Sequence, residues 1–428
     1  MSDPIFDYLN RECHCINTDP TTLDRETRRV LGHGDISLPT WADSSVFANV
    51  PVFVSPKHIR TMRDVVAAVS TLTLAPSYRD LAIERAPEIA HHAVPQHGVY
   101  LGYDFHLGEA GPALIEINTN AGGAMLNLVL ALSQRACCDE VNQFVASGDR
   151  IDQLEDEFTR MFRAEWALAR GDQPLRTIAI VDDDPETQFL YPEFVLFREL
   201  FRRAGLSAFI CAPEQLHLEA SGLYCAEKRV DLVYNRLVDF YFEEPKHRAL
   251  RDAYLTDAVV VTPHPRAHAV FADKRNLATL RDKEQHRQAG LSARESELLT
   301  RHIPETVLIN PRDAQALWTQ RKQWFFKPIH GYGSKAAYRG DKLTKGTFAE
   351  ILGRDYVAQR IVTPSRRHVQ VKGAVVPLKL DIRCFAYINR VQLVAARLYD
   401  GQTTNFRTRG GGFASVFTSV DSCPPASE

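Results

Sequence analysis

The sequence carries no surplus of positive charge: 51 Lys and Arg stand against 53 Asp and Glu, a net charge of −2. A chain whose main task is gripping a nucleic-acid backbone ordinarily carries a clear basic excess, so no nucleic-acid partner is expected. Long hydrophobic runs are missing too. The most apolar stretch, residues 121–132, is interrupted by Asn127 and falls short of the roughly 20 residues that cross a bilayer. The chain opens Met1-Ser-Asp-Pro-Ile-Phe-Asp, with no basic-then-apolar leader. A cytoplasmic protein with no membrane partner is therefore expected. Cysteine is sparse, eight in 428 residues, and its close pairs are Cys13-x-Cys15 and Cys137-Cys138. Neither has a second Cys/His pair at zinc-binding distance, which argues against a thiolate metal site. Internal repeats and low-complexity tracts are absent as well.

What is present is globular: 45% apolar and 24% charged residues, long enough for two to four domains at roughly 100–200 residues each. The first 90 or so residues read as helices punctuated by Pro51, Pro56 and Pro76. Between Val99 and Asn118 the apolar period drops to two, and Gly108-Glu-Ala-Gly interrupts it, predicting a hairpin. A helix is expected over residues 140–169. From Thr177 the pattern alternates short apolar strands (Thr177-Ile-Ala-Ile-Val, Ala208-Phe-Ile-Cys, Val230-Asp-Leu-Val-Tyr) with a helix over 193–204 that Gly205 ends. Such alternation predicts a parallel, helix-covered sheet closing near residue 265. Antiparallel strands and helices follow. The fold class is α/β shading into α+β.

Four groups of residues could do chemistry. Lys327 ends the strand Trp324-Phe-Phe-Lys, and Gly331-Tyr332-Gly333-Ser334 follows. That arrangement suits phosphate binding by backbone N–H groups and a point charge, or is a hairpin turn with a surface lysine. The strand Tyr356-Val-Ala-Gln359-Arg360-Ile361-Val362 stops at a proline and offers backbone groups to a purine edge, or is a core strand. Glu116 and Asn118 share one strand face, with Asp104 on the preceding strand. Three hard oxygen donors of this kind suit Mg²⁺ bridged to phosphates, or form a solvated sheet face; Asn120-Ala-Gly-Gly follows at once. Lastly, Lys379, Asp381 and Arg383 alternate on one strand, Arg397 lies on the next, and Asn405-Phe-Arg407-Thr-Arg-Gly-Gly-Gly follows. Paired arginines beside a glycine loop suit an anionic transition state. The competing reading, a nucleic-acid patch, draws on Arg366, Arg367 and Lys372. The acidic run Asp182-Asp-Asp-Pro reads as a turn, with a substrate-amine contact or a metal site as alternatives.

Taken together, in this order, these pieces resemble the ATP-grasp superfamily. Ala272-Asp-Lys274-Arg-Asn-Leu matches its first phosphate lysine, and Ile303-Pro-Glu-Thr its lead into the central subdomain. Lys327-Pro with Gly331-Tyr-Gly-Ser matches the second lysine and its loop, and Arg383, Arg397 and Asn405-Phe-Arg look like the arginine strands of the amide ligases. The Glu-x-Asn strand normally follows those arginines; here Leu114-Ile-Glu116-Ile-Asn118 lies far upstream. That permuted order resembles glutathione synthetase of the eukaryotic type, whose peptide-binding arginine the Val233-Tyr-Asn-Arg236 strand matches. One residue departs: the acidic residue after that family's loop lysine is replaced by Ile329-His330.

The resemblance implies an ATP-grasp fold with permuted strand order and an inserted parallel α/β substrate domain. The expected division is 1–170 (helices and metal-binding hairpin), 171–265 (substrate domain) and 266–428 (remaining ATP-grasp subdomains). It further implies an ATP-dependent carboxylate–amine ligase that works through an acyl phosphate. ATP would be held by Lys274, Lys327, the 331–334 loop and residues 359–362, and Mg²⁺ by Asp104, Glu116 and Asn118. Catalytic roles fall to Arg383, Arg397 and Lys327, and substrate contacts to Arg236, Asn120, Asn405 and Arg407. The expected partners are a small carboxylate and an amine, with a homodimer left open. A phosphotransferase acting on a hydroxyl and a non-catalytic ATP-binding scaffold are the rival readings.

Overall fold

The computed structural model describes residues 4–14, 17–32, 46–134, 144–146, 151–329, 331 and 336–419. Tyr332, Gly333 and Ser334 of the expected phosphate loop lie outside them, as do Cys15, Cys137 and Cys138. The chain begins with helices α1 (Pro4–Glu12) and α2 (Pro20–Leu31), the short strand β1 (Val52–Phe53), and helices α3 (Pro56–Leu74) and α4 (Pro76–Glu84). Ser55 caps α3 by accepting from the His58 N–H, and Pro56 opens its first turn. Its buried residues Ile59, Met62, Val65, Val66, Val69 and Leu72 fall at helical spacing and form one packed face.

The expected hairpin is β2 (Leu101–Gly108) and β3 (Gly111–Asn118); α5 (Ala124–Ser133), β4 (Phe144–Ala146) and α6 (Leu154–Arg170) follow. The helix expected over 140–169 is thus shorter. Residues 144–146 pair with the chain's last strand instead, so a long-range ladder overrides the local helical pattern.

Next come β5 (Thr177–Val181), α7 (Tyr191–Arg203), β6 (Ser207–Cys211), a small antiparallel sheet of β7 (Leu216–Glu219), β8 (Gly222–Cys225) and β9 (Lys228–Val230), then β10 (Leu232–Asn235), α8 (Arg248–Leu255) and β11 (Val260–Thr262). Strands β11-β10-β5-β6 make a wholly parallel sheet. Both its faces are covered: Ala179, Val181 and Val233 enter one core, Ile178, Ile180 and Leu232 another. That is why β5 reads as an unbroken apolar run.

A third sheet, in the order β12-β15-β13-β14, contains β12 (Thr306–Leu308), β13 (Trp324–Pro328), β14 (Tyr338–Arg339) and β15 (Tyr356–Arg360). It has a core of its own, around Trp324, Phe326, Phe348 and Tyr356.

The last strands are β16 (Arg366–Val371), β17 (Ala374–Tyr387), β18 (Arg390–Tyr399) and β19 (Gly412–Ser419). They join the N-terminal hairpin in one eight-stranded sheet whose main path runs β1-β19-β18-β17-β2-β3. The upstream Glu-x-Asn strand therefore sits at the edge of the C-terminal strands, as the permuted motif order implies. Arg367 is fully buried; its guanidinium donates to the carbonyls of Pro51, Asn10, Cys13 and His368 and ties β16 to the N-terminal segment. The competing reading of Arg366, Arg367 and Lys372 as a surface patch thereby loses one of its three charges to the interior.

Candidate active site

Alternation along β17 sorts its residues. Leu380, Ile382 and Cys384 enter the core, while Asp381 and Arg383 face a cavity of about 370 Å³. On β2, Tyr103 and Phe105 are core residues and Asp104 and His106 line the cavity. The same cavity is lined by Glu116 and Asn118 of β3, Lys274, Lys327 of β13, Gly331, residues 359–362 and Arg397 of β18. Asn120, Arg236, Asn405 and Arg407 are not among its lining residues.

Asp104 faces Glu116 on one side and Arg383 on the other in strand register. Arg383 donates from Nε to Asp104 Oδ1 and from Nη2 to Oδ2, both at 2.7 Å. Arg397 Nη2 adds a 2.8 Å ion pair to Oδ2, and Asn118 Nδ2 donates to the same oxygen at 3.0 Å. Burial pushes the Asp104 carboxyl up, but the two guanidiniums outweigh it and hold the group at about 2. Arg397 also donates from Nε to Asp381 Oδ1 at 2.7 Å, and the Thr404 hydroxyl donates to the other oxygen of Asp381. Gly102 makes room for this network: a Cβ there would lie 2.7 Å from Ala121 Cβ and 3.3 Å from Arg383 Nε.

The two lysines approach from other elements. Lys327 is buried; its ammonium donates to Gln359 Oε1 and to the Ile115 carbonyl, each at 2.8 Å. Ile115 is the residue left over where the β2–β3 register shifts between Asp104 and Phe105, so a bulge turns its carbonyl toward the lysine. Burial lowers Lys327 to about 8, against the upward pull of Glu116. Lys274 donates to the Gly331 carbonyl at 2.8 Å and stands 3.6 Å from Glu116 Oε1. On the neighbouring strand, Arg360 stacks on Trp324 at 4.0 Å and pairs with Glu305 at 2.9 Å, so its charge is tied down. The Ile361 N–H donates to the Gln323 carbonyl, and His106 Nδ1 lies 2.8 Å from the Val362 carbonyl oxygen.

The donor set can be tested for a magnesium–phosphate ligand. Glu116 is one-third exposed and borders the cavity. Asn118 spends its amide nitrogen on Asp104, which leaves its amide oxygen as the atom it can offer a cation. These two hard oxygens, with Lys274 and Lys327 beside them, fit a divalent cation bridged to phosphate. Asp104 fits that role less well, since its carboxylate already accepts four hydrogen bonds or ion-pair contacts.

Arg236 is buried at the end of β10, where it stands 3.5 Å from Glu193 and donates to the Ala121 carbonyl and Tyr234 hydroxyl. Asn120, at φ +54°, donates to the Leu237 carbonyl. Asn405 is spent within its own loop: its amide donates to the Asp400 and Thr403 carbonyls and accepts from the Arg407 N–H. Arg407 is exposed. In the acidic loop, Asp183, Glu244 and His247 cluster closely enough to hold a cation. Lys246 already stands 2.9 Å from Asp183 and 3.3 Å from Glu244, and His247 bridges Asp183 and Asp239, so the cluster is neutralised from within.

Several lining residues escaped sequence reasoning. Phe240 and His268 stack at 3.9 Å, and His268 Nδ1 lies 2.9 Å from the Thr119 hydroxyl. His268 sits in a one-turn π-helix, His268–Ala272; such turns recur at functional sites, but no residue-type signal announces them. Tyr399, Thr403, Thr404 and Phe406 also line the cavity.

The hairpin, the two lysine-bearing elements and the arginine strands around one cavity define an ATP-grasp fold in permuted strand order. Among solved structures it is similar to a glutathione synthetase-like effector from Globodera pallida, at TM-score 0.58 and 12% identity, covering 93% of this chain and 97% of that one. A gamma-glutamylcysteine synthetase-like protein from Methylobacillus flagellatus KT shows TM-score 0.47 and 11% identity over 86% and 89% of the two chains. D-alanyl-alanine synthetase A from Vibrio cholerae shows TM-score 0.29 and 9% identity over 60% and 92%. No family model matches the chain, and no curated protein matches it. Among the described residues, no helix is long and apolar enough to cross a membrane.

Proposed function

We propose that this chain is an ATP-dependent ligase that joins a small carboxylate to an amine through an acyl phosphate, releasing ADP and phosphate. The observation that carries the reading is the single cavity. It gathers Glu116 and Asn118, Lys274, Lys327, and the Arg383–Asp104–Arg397 network from segments as far apart in the chain as Asp104 and Arg397.

In this reading residues 359–362 hold the purine, and Lys274 and Lys327 neutralise the phosphates. Glu116 and Asn118 hold Mg²⁺, which supplies charge neutralisation at the transferring phosphoryl group. Asp104 fixes Arg383 and Arg397 side by side, so that their remaining N–H groups meet the substrate carboxylate and the acyl phosphate derived from it. Phosphoryl transfer depends on positioning and electrostatics, so no protein nucleophile is needed. The amine then attacks the acyl carbon and expels phosphate. Residues 171–265 would carry the substrate-binding unit, with Arg236 and Asn120 as candidate substrate contacts. The Globodera pallida structure, of like fold, is called glutathione synthetase-like, which agrees with amide formation.

The test is a trap. Purified protein with Mg²⁺, ATP and hydroxylamine is incubated with a panel of amino acids, dipeptides and dicarboxylates, and ferric hydroxamate and ADP are read together. Acid-dependent hydroxamate is the expected result. ADP release with no hydroxamate from any acid, or no ADP at all, would overturn the ligase.

A further inference from the structure

A row of packed phenylalanines stands beside the arginines. Phe413 of β19 is the register partner of Arg397 on β18, so the two side chains are neighbours on one sheet face. Gly123, at φ +107°, leaves the space that the Phe413 ring fills; a Cβ there would lie 2.3 Å from Phe413 Cζ. Phe406 packs on Phe413 with ring centres 4.8 Å apart, and Phe189 packs on Phe406 at 5.2 Å. The row leads outward. Phe413 is buried, Phe406 is half-buried and lines the cavity, and Phe189, from the connection between β5 and α7, is 48% exposed. Thr404, two residues before Phe406, bonds Asp381 and so ties this loop to the carboxylate that holds Arg397.

The uncommitted charge at this end of the cavity is positive. Among the described residues, the carboxylates lining the cavity are Asp104, Glu116 and Asp381. Asp104 is taken up by Arg383, Arg397 and Asn118, and the buried Asp381 by Arg397 and Thr404. Glu116 faces Lys274 and is the proposed Mg²⁺ ligand. The acidic run Asp182–Asp184 is not part of the lining. An ammonium carried next to a substrate's carboxyl group would therefore meet two guanidiniums, with no carboxylate left over to offset them.

We propose, resting on the ligase reading, that the acid activated in this cavity has an apolar body and no ammonium beside its carboxyl group, and that Phe406 is the residue that selects it. The carboxylate meets Arg383 and Arg397, and the body lies against Phe406, which Phe413 and Phe189 hold in place. Aromatic contact and the removal of apolar surface from water supply the preference.

The test uses matched acids that differ in the ammonium alone: hydrocinnamate against phenylalanine, and isocaproate against leucine, with acetate and a γ-glutamyl dipeptide for comparison. The full chain is incubated with each acid, Mg²⁺, ATP and hydroxylamine. An oxygen of the acid bonds to the γ-phosphorus as ADP leaves; the hydroxylamine nitrogen then bonds to the acyl carbon as phosphate leaves, and one proton is released. The expected kcat/KM for hydroxamate is at least about tenfold higher for the acid without the ammonium in each pair. Hydrocinnamate should also exceed acetate and the dipeptide. Phe406→Ala should lower the hydrocinnamate-to-acetate ratio by about tenfold or more, through KM rather than kcat, and Phe406→Tyr, which keeps the ring, should restore it. An amino acid or the dipeptide preferred over the apolar acids, or a ratio that Phe406→Ala leaves unchanged, would overturn the inference while the ligase stands. No hydroxamate from any acid would overturn the ligase and this inference with it.

Discussion

Asp104 and Arg383 sit directly opposite each other on neighbouring antiparallel strands and share two hydrogen bonds of 2.7 Å, although 279 residues separate them in the chain. The pair is buried, and Arg397 doubles the positive charge facing the carboxylate. It fastens the N-terminal hairpin to the C-terminal strands as well as shaping the cavity.

Breaking that fastening has a measurable consequence. Asp104→Asn leaves two buried guanidiniums facing a neutral amide, and removal of one partner from a buried pair costs about 3–5 kcal/mol. Chemical denaturation should show a loss of that order. Acid titration of the native protein should show the same group. Its folded value of about 2 lies below the ordinary 3.8. The stabilisation is therefore complete above the unfolded value and is lost as pH falls through 4 toward 2, roughly 2 kcal/mol in all. An Asp104→Asn variant should lack this part of the acid transition.

In the proposed nucleotide site, Lys327 sets a basic limit. Burial brings its ammonium down to about 8, so the free site loses its charge as pH rises through that value. A bound polyphosphate favours the charged form, so binding takes up a proton above pH 8 and affinity falls by about tenfold per pH unit. Calorimetry in buffers of different ionisation enthalpy reads the proton directly. Lys327→Arg stays charged, and its affinity should be flat over the same range; a wild-type profile that is equally flat contradicts the assignment.

Glu116→Gln separates binding from folding. The side chain is one-third exposed, and its ion-pair partner Lys274 also bonds the Gly331 carbonyl. Melting temperature should therefore change little. The Mg²⁺ concentration needed for half-maximal ADP release should rise by about 10- to 100-fold, the usual scale for weakening a metal's supporting groups. Unchanged Mg²⁺ dependence would remove Glu116 from the metal site.

Much of this was legible because strand alternation is a local property. Asp381 and Arg383 had to share a face, as did Glu116 and Asn118, and Lys327 had to end its aromatic strand. The order of these pieces carried the permutation. Other features were not legible because they depend on contacts between distant segments. The bulge that frees the Ile115 carbonyl for Lys327 exists only in the pairing of β2 with β3. The burial of Arg367 depends on carbonyls supplied by Asn10, Cys13 and Pro51. The strand at residues 144–146 exists because β19 offers it an edge.

The sequence by itself determined which residues each strand presents and which chemistry they suit, because side-chain direction follows from the backbone period. Only the tertiary structure decided that Asp104 belongs first to Arg383 and Arg397. Hydrogen-bond partners across a sheet are set by register between distant segments, and a buried carboxylate binds most strongly to the charges that the register places beside it.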